Sequence, residues 1–182
     1  MKIETKTTRL LSDLETPITL YLKIRDLYVC SALLESSDYN SRDNSYSFIG
    51  IEPLASYKLC DGVAEIKRGE DKQEEAVYDY TKADLQATTF LDSFQGFLDS
   101  FEIIGQDAPT NGLFGYTAHE AIRYFSPCGE LAPQDATQPD IPELYYILYR
   151  FVVVINHLTN ELSIIENQVV GTEERSKELI NQ

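Results

Sequence analysis

Apolar and polar positions alternate along the chain mostly in the pattern of short strands. One apolar run extends from Tyr28 to Leu34 and ends at a carboxylate, Glu35, and two serines. A polar, turn-prone stretch follows, and a second apolar run begins at Tyr46. This pattern predicts two strands joined by a solvated connection, with polar groups where the first strand ends. Binding groups often collect at such places, although the pattern alone favours an ordinary solvated strand edge.

Apolar residues at helical spacing predict three or four helices between the strands. Thr16 is suited to capping and a proline follows it, so a helix is predicted over 17–26. A stripe of phenylalanines predicts a second helix over 90–101, packed on a sheet by its apolar face. A short helix is predicted over 117–124. An acidic helix over 173–182 has no capping signal at its end, which is typical of a chain that continues.

The remaining apolar runs predict strands joined in hairpins. Asp61-Gly62 is the strongest hairpin signal, because both residues tolerate the positive φ angles of a type I′ turn. A long buried strand is predicted over 144–155, and it returns through a turn into 162–165. The charged stretch 68–73 is predicted to be a loop tip. The order of elements indicates an α+β fold, with antiparallel β-sheets in a sandwich-like arrangement and three or four packed helices.

Composition and charge exclude several classes of protein. The 182 residues suit one domain with an ordinary core. The formal net charge of −15 disfavours nucleic acid and acidic membrane surfaces as partners. No apolar run is long enough for a transmembrane helix, and three cysteines without a C-x-x-C pair predict neither a disulfide framework nor a zinc knuckle. A cytoplasmic protein is therefore predicted, with Cys30 as a small core residue.

Candidate catalytic groups are few. His119 and Glu120 begin a pattern like the zinc motif H-E-x-x-H, but the fifth residue is Arg123, so one ligand is missing. Glu120 and Arg123 are expected to form a surface ion pair. The chain has no G-x-S-x-G elbow and no P-loop, and a hydrolase has only His119 in its favour. The residues themselves predict no catalytic site and no metal site.

Four motifs together resemble one protein family. They occur in the order and spacing of that family, as P-I-T-L-Y-L-K at 17–23, L-L-E-S at 33–36, Y-S-F-I-G at 46–50, and G-L-F-G-Y at 112–116 running to R-Y-F at 123–125. The chain is similar in these motifs to the N-terminal region of anthranilate synthase component I. The related aminodeoxychorismate synthase component I shares much of the pattern. The resemblance extends over essentially the whole chain.

The resemblance implies that residues 1–182 are a single N-terminal regulatory domain of a longer lyase. That enzyme makes anthranilate and pyruvate from chorismate and glutamine-derived ammonia, in tryptophan biosynthesis. The resemblance places the Mg²⁺ and the acid/base residues in a chorismate-binding catalytic domain that this chain lacks. The chain by itself is therefore expected to be inactive and to need no cofactor. The implied partners are that C-terminal domain and component II, the glutamine amidotransferase subunit.

The resemblance also implies part of a feedback-inhibition site for L-tryptophan. Glu35 and Ser36 would face the ammonium group, Leu34 would cover the indole, and Tyr46 stands where some members have lysine or arginine. A carboxylate, a hydroxyl and an apolar neighbour suit such a ligand. The rest of the site would come from the catalytic domain, so weak or no tryptophan binding is expected for this chain alone. Two alternatives stay open: the equivalent domain of aminodeoxychorismate synthase, in the folate pathway, and a stand-alone ligand-binding module.

Overall fold

The computed structural model describes residues 1–11, 16–35, 45–80, 87–105, 110–126 and 141–171. The described helices are α1 (Pro17–Ile24), α2 (Phe90–Asp99) and a 3₁₀ helix (His119–Tyr124). The described strands are β1 (Lys2–Leu11), β2 (Ala32–Glu35), β3 (Tyr46–Cys60), β4 (Val63–Arg68), β5 (Asp71–Ala76), β6 (Glu102–Gly105), β7 (Leu113–Thr117), β8 (Leu144–Asn156) and β9 (Glu161–Val169). Largely antiparallel pairing together with these helices confirms the predicted α+β class.

The chain divides into two compact units, and the long strands β3 and β8 contribute to both. Unit 1 comprises Met1–Pro53, Glu102–Gly112 and Tyr149–Gln182. Its strand order is β2-β3-β8-β9-β1-β6, with β1 antiparallel to β9 and parallel to β6. Unit 2 comprises Leu54–Phe101 and Leu113–Leu148. There β3, β4 and β5 form an antiparallel meander, and β7 pairs with β8.

Unit 1 is organised around alternate residues of its strands. Successive side chains of a strand point to opposite faces, so every second residue of β3 and β8 can enter one core. Helix α1 begins because the hydroxyl of Thr16 accepts a hydrogen bond from the backbone N–H of Thr19 at 3.1 Å, with Pro17 as the first helical residue. The buried cluster comprises Ile24, Ile49, Ile51, Phe151, Val153, Ile155 and Ile164.

Unit 2 is organised around an aromatic cluster under α2. Thr89 caps this helix by accepting from the backbone N–H of Asp92 at 3.2 Å. The rings of Phe94 and Phe97 lie 5.1 Å and 5.7 Å from the ring of Tyr57, centroid to centroid. The Tyr57 hydroxyl is hydrogen-bonded to the hydroxyl of Ser93 at 2.8 Å. The phenylalanine stripe therefore packs into the core, as the periodicity predicts.

Alkaline pH is expected to destabilise unit 2 through Tyr57. Burial raises the pKa of this fully buried phenol to about 12, whereas an unfolded tyrosine titrates near 10. Between these values the folded state keeps a proton that the unfolded chain loses, so the free energy of unfolding falls as the pH rises. The expected slope from this one residue is about 1 kcal/mol for each pH unit.

Urea unfolding at pH 9 and pH 11 measures this slope, with Tyr57→Phe as the comparison. The variant should lose less stability between the two pH values than the wild type does. Some slope should remain, because burial also raises the pKa of Tyr124. Equal losses in the two proteins would show that Tyr57 does not titrate as its burial requires.

Several sequence predictions need correction. The stretch 68–73 is not a loop tip, because Asp71 already begins β5 and only the turn before it is loop. The strand expected to begin at Tyr28 begins at Ala32, and turns precede it. Cys30 lies in those turns, exposed and at φ 66°, so it is not a core residue. The hairpin at Asp61-Gly62 is confirmed, with φ angles of 48° and 80°. The predicted helix over 173–182 lies outside the described residues.

Candidate functional site

The candidate ligand-binding residues lie on the β2–β3 hairpin of unit 1. The two strands pair antiparallel, with Leu34 opposite Phe48 and Glu35 opposite Ser47. Tyr46 is the first residue of β3 and directly precedes Ser47. The structure therefore brings Leu34, Glu35 and Tyr46 to the same end of one hairpin. Ser36 lies outside the described residues.

Three apolar side chains share one face at this end of the hairpin. Leu34 and Phe48 are cross-strand partners, and residues directly opposite in a sheet point to the same face. Tyr46 is two residues before Phe48, so it shares that face too, and the two rings lie 6.1 Å apart between centroids. All three side chains are half-buried. This arrangement offers a partly exposed apolar surface on which an aromatic ring can pack.

The polar side of the site is on the other face. Glu35 follows Leu34 directly, so its side chain leaves the strand on the face of its partner Ser47. Glu35 is exposed and is the last residue of β2, whereas Ser47 is completely buried. A ligand that contacts both Leu34 and Glu35 must therefore lie at the strand end, where both faces can be reached.

One residue of this region was not found from the sequence. The imidazole Nε2 of His157 is hydrogen-bonded to the hydroxyl of Ser47 at 2.8 Å. The backbone N–H of His157 also donates to the carbonyl oxygen of Ser45 at 3.0 Å. His157 was predicted in the turn after β8, which is its position. A separation of 110 residues from Ser47 leaves no spacing signal that could link the two.

Arg123, which the sequence placed in a surface ion pair, is mostly buried in unit 2. Its Nη2 lies 2.8 Å from a carboxylate oxygen of Glu143, and its Nη1 lies 3.6 Å from one of Asp79. The side chains of Glu143 and Asp79 are 2% and 3% exposed. The other carboxylate oxygen of Glu143 accepts from the backbone N–H of Asp61 at 3.0 Å. The arrangement therefore joins the 3₁₀ helix, the β3–β4 turn and the start of β8.

Gly115 explains part of the G-L-F-G-Y motif. It is paired with Tyr146 across β7 and β8. A β-carbon at this position would overlap the carbonyl oxygen of Tyr145 and lie 2.8 Å from the Tyr145 carbonyl carbon. The two strands therefore approach so closely at Gly115 that a residue with a side chain does not fit there. Gly112 has open space instead.

The described residues contain no cluster of three or more metal-ligating side chains. His119 lies exposed in the 3₁₀ helix. The described residues at the candidate site offer an exposed carboxylate on Glu35 and a half-buried apolar surface from Leu34, Tyr46 and Phe48. Within the same described ranges, no helix is both long and apolar enough to cross a membrane.

Comparison with known proteins gives several relatives that share one name. Anthranilate synthase component 1 of Thermus thermophilus is 30% identical over 158 residues, which are 85% of this chain and 30% of the relative. The protein of the same name from Methanothermobacter marburgensis is 28% identical over 149 residues, 82% of this chain and 28% of the relative. The one from Aquifex aeolicus is 26% identical over 179 residues, 95% of this chain and 34% of the relative.

The chain is homologous to part of anthranilate synthase component 1. It spans about a third of the length of these anthranilate synthase relatives. No protein-family model matches the sequence. The similarity to anthranilate synthase component 1 covers most of the chain, and the alignment with the Aquifex aeolicus protein, which covers 95% of it, includes the β2–β3 hairpin region.

Proposed function

We propose that residues 1–182 form the N-terminal regulatory domain of an anthranilate synthase component 1. In this proposal the chain carries part of the site at which tryptophan inhibits the enzyme. The catalytic reaction, on chorismate and glutamine-derived ammonia, belongs to a C-terminal domain that uses Mg²⁺, and component II supplies the ammonia. The shared name of the relatives supports this function over the domain of aminodeoxychorismate synthase.

The observation that carries the proposal is the end of the β2–β3 hairpin. The exposed Glu35 lies at this end on one face of the hairpin, and the half-buried apolar side chains of Leu34 and Tyr46 lie at the same end on the other face. A carboxylate that binds an ammonium group makes a charge-assisted hydrogen bond, and an apolar surface favours an indole ring. A free amino acid with an aromatic side chain has both groups. The residues of one hairpin end cover only part of such a ligand, so the remaining contacts are assigned to the catalytic domain.

Regulation then follows from two arrangements of the enzyme. Tryptophan can inhibit only if it binds the inactive arrangement more tightly than the active one, and chorismate must have the opposite preference. Coupling of this kind is reciprocal, so chorismate should weaken the binding of tryptophan by the same factor.

Removal of the Glu35 carboxylate should relieve tryptophan inhibition. In the full-length enzyme, Glu35→Ala is expected to raise the tryptophan concentration for half-inhibition by about tenfold or more, because a hydrogen bond to a charged group contributes about 1.5–3 kcal/mol. Ser36→Ala should have a smaller effect in the same direction. Anthranilate formation is measured by its fluorescence at increasing tryptophan concentration, relative to the uninhibited rate of each variant.

Glu70→Ala is the matched control, because Glu70 is an exposed carboxylate in the turn before β5. Its half-inhibition concentration should equal that of the wild type. Glu35→Ala and Ser36→Ala enzymes that stay as sensitive to tryptophan as the control would refute the assigned site.

A further inference from the structure

His157 makes two hydrogen bonds at the start of β3, one to Ser47 within the strand and one to Ser45, the residue before it. Its imidazole bonds to the hydroxyl of Ser47 at 2.8 Å, and its backbone N–H donates to Ser45 at 3.0 Å. All three residues belong to unit 1. The two bonds therefore hold the chain on both sides of Tyr46, the first residue of β3.

The side-chain bond matters because Ser47 is completely buried. A buried hydroxyl without a hydrogen-bond partner is unfavourable, because it has lost its bonds to water and gained none in the protein. The imidazole of His157 satisfies this hydroxyl, so it stabilises the strand position in which Ser47 points inward. Without the imidazole, the Ser47 hydroxyl would find a hydrogen-bond partner only by moving toward water, and the strand would have to move with it.

The same strand positions carry the candidate ligand site. Ser47 is the direct cross-strand partner of Glu35, and Tyr46 lies between the two residues that His157 holds. We propose that His157, acting through Ser47, is a positioning residue that fixes the end of the β2–β3 hairpin carrying Glu35 and Tyr46. The consequence for tryptophan rests on the proposed function, whereas the fixing of the hairpin end does not.

Amide hydrogen exchange, measured by NMR on the 182-residue chain, tests the positioning role. His157→Leu should speed the exchange of the Ser47 and Phe48 amides about tenfold or more, the factor that corresponds to an unsatisfied buried hydroxyl. Amides of unit 2, such as that of Ile66, should keep their rates. His157→Gln should recover most of the protection, because its side-chain amide can place a polar atom near the position of Nε2.

Ser47→Ala removes the hydroxyl and provides a second test of the same hydrogen bond. In the double variant Ser47→Ala/His157→Leu, the amides of residues 47 and 48 should exchange no faster than in His157→Leu alone. Both substitutions remove the same hydrogen bond, so their effects should not add. Unchanged exchange at Ser47 and Phe48 in His157→Leu would overturn the proposal. An equal acceleration in unit 2 would also overturn it, since that result indicates general destabilisation.

Inhibition of the full-length enzyme separates the two proposals. The half-inhibition concentration of tryptophan should rise several-fold in His157→Leu and should return toward the wild-type value in His157→Gln. If the wild-type enzyme is not inhibited by tryptophan, the proposed function fails and exchange still decides the role of His157. If inhibition is present and unaffected by His157→Leu, the positioning of the ligand site is refuted.

Discussion

Replacing Arg123 by methionine is expected to lower the free energy of unfolding by about 3–5 kcal/mol. The guanidinium is 11% exposed and lies against two carboxylates that are almost completely buried. Methionine fills much of the same volume but removes the positive charge, so Glu143 and Asp79 would lose their counter-charge in a site shielded from water. Breaking a buried pair from one side is costly for this reason, whatever the net contribution of the intact pair.

Urea unfolding followed by far-ultraviolet circular dichroism measures the loss. The matched control is Arg9→Met, since Arg9 forms an ion pair with Glu161 at 3.3 Å and is 77% exposed. An exposed pair contributes about 0–1 kcal/mol, so this variant should stay close to the wild type. Equal losses for the two methionine variants would show that Arg123 is not a buried counter-charge.

The double variant Arg123→Met/Glu143→Gln tests the cause. Glutamine removes one of the orphaned charges and still offers an oxygen to the backbone N–H of Asp61, the group that Glu143 accepts from at 3.0 Å. The double variant should therefore be more stable than Arg123→Met alone. A further loss of stability instead would locate the effect in packing and not in charge.

Gly115→Ala is the second substitution with a large expected effect. The added β-carbon would overlap backbone atoms of Tyr145, and a paired strand cannot move aside as a flexible side chain can. The expected loss is about 3 kcal/mol, at the upper end of the range for overpacking. For a protein of this size that loss corresponds to a fall in melting temperature of about 10 °C.

Differential scanning calorimetry measures the fall, with Gly96→Ala as the control in the same unit. Gly96 lies in α2, and a β-carbon there meets nothing within 4 Å. Alanine is the better helix former, so this variant should melt at the wild-type temperature or slightly above it. Similar melting temperatures for the two alanine variants would mean that β7 and β8 do not approach as closely as described.

Local signals predicted much of the fold. The type I′ turn at Asp61-Gly62 requires positive φ angles, and two adjacent residues that tolerate them are enough to predict it. The spaced phenylalanines likewise predict α2 without reference to the rest of the chain. The start of β2 was predicted several residues too early in the chain, because Tyr28 and its neighbours are apolar although they lie in turns. Apolar character alone does not distinguish a strand from an apolar turn.

The pairings between distant segments were not predictable in this way. Arg123 was assigned to Glu120 because helical spacing is the only partner rule that one sequence supplies, whereas its partner Glu143 comes from the segment before β8. His157 reaches Ser47 only because folding brings the end of β8 to the start of β3. The candidate ligand residues themselves came from the family resemblance, since their types and spacing alone indicate a solvated strand edge.

The charged strand β5 has a consequence for the behaviour of the protein in concentrated solution. It is the last strand of its meander in the described chain, with the sequence D-K-Q-E-E-A. Lys72 lies 2.8 Å from Glu65 and 2.9 Å from Glu74, so its charge also offsets the facing pair of Glu65 and Glu74. A strand of a neighbouring molecule that paired with β5 would lie against this row of charges. Exposed sheet edges without such charges are sites of aggregation. The residues that made β5 resemble a loop are thus of the kind that disfavours strand addition at a sheet edge.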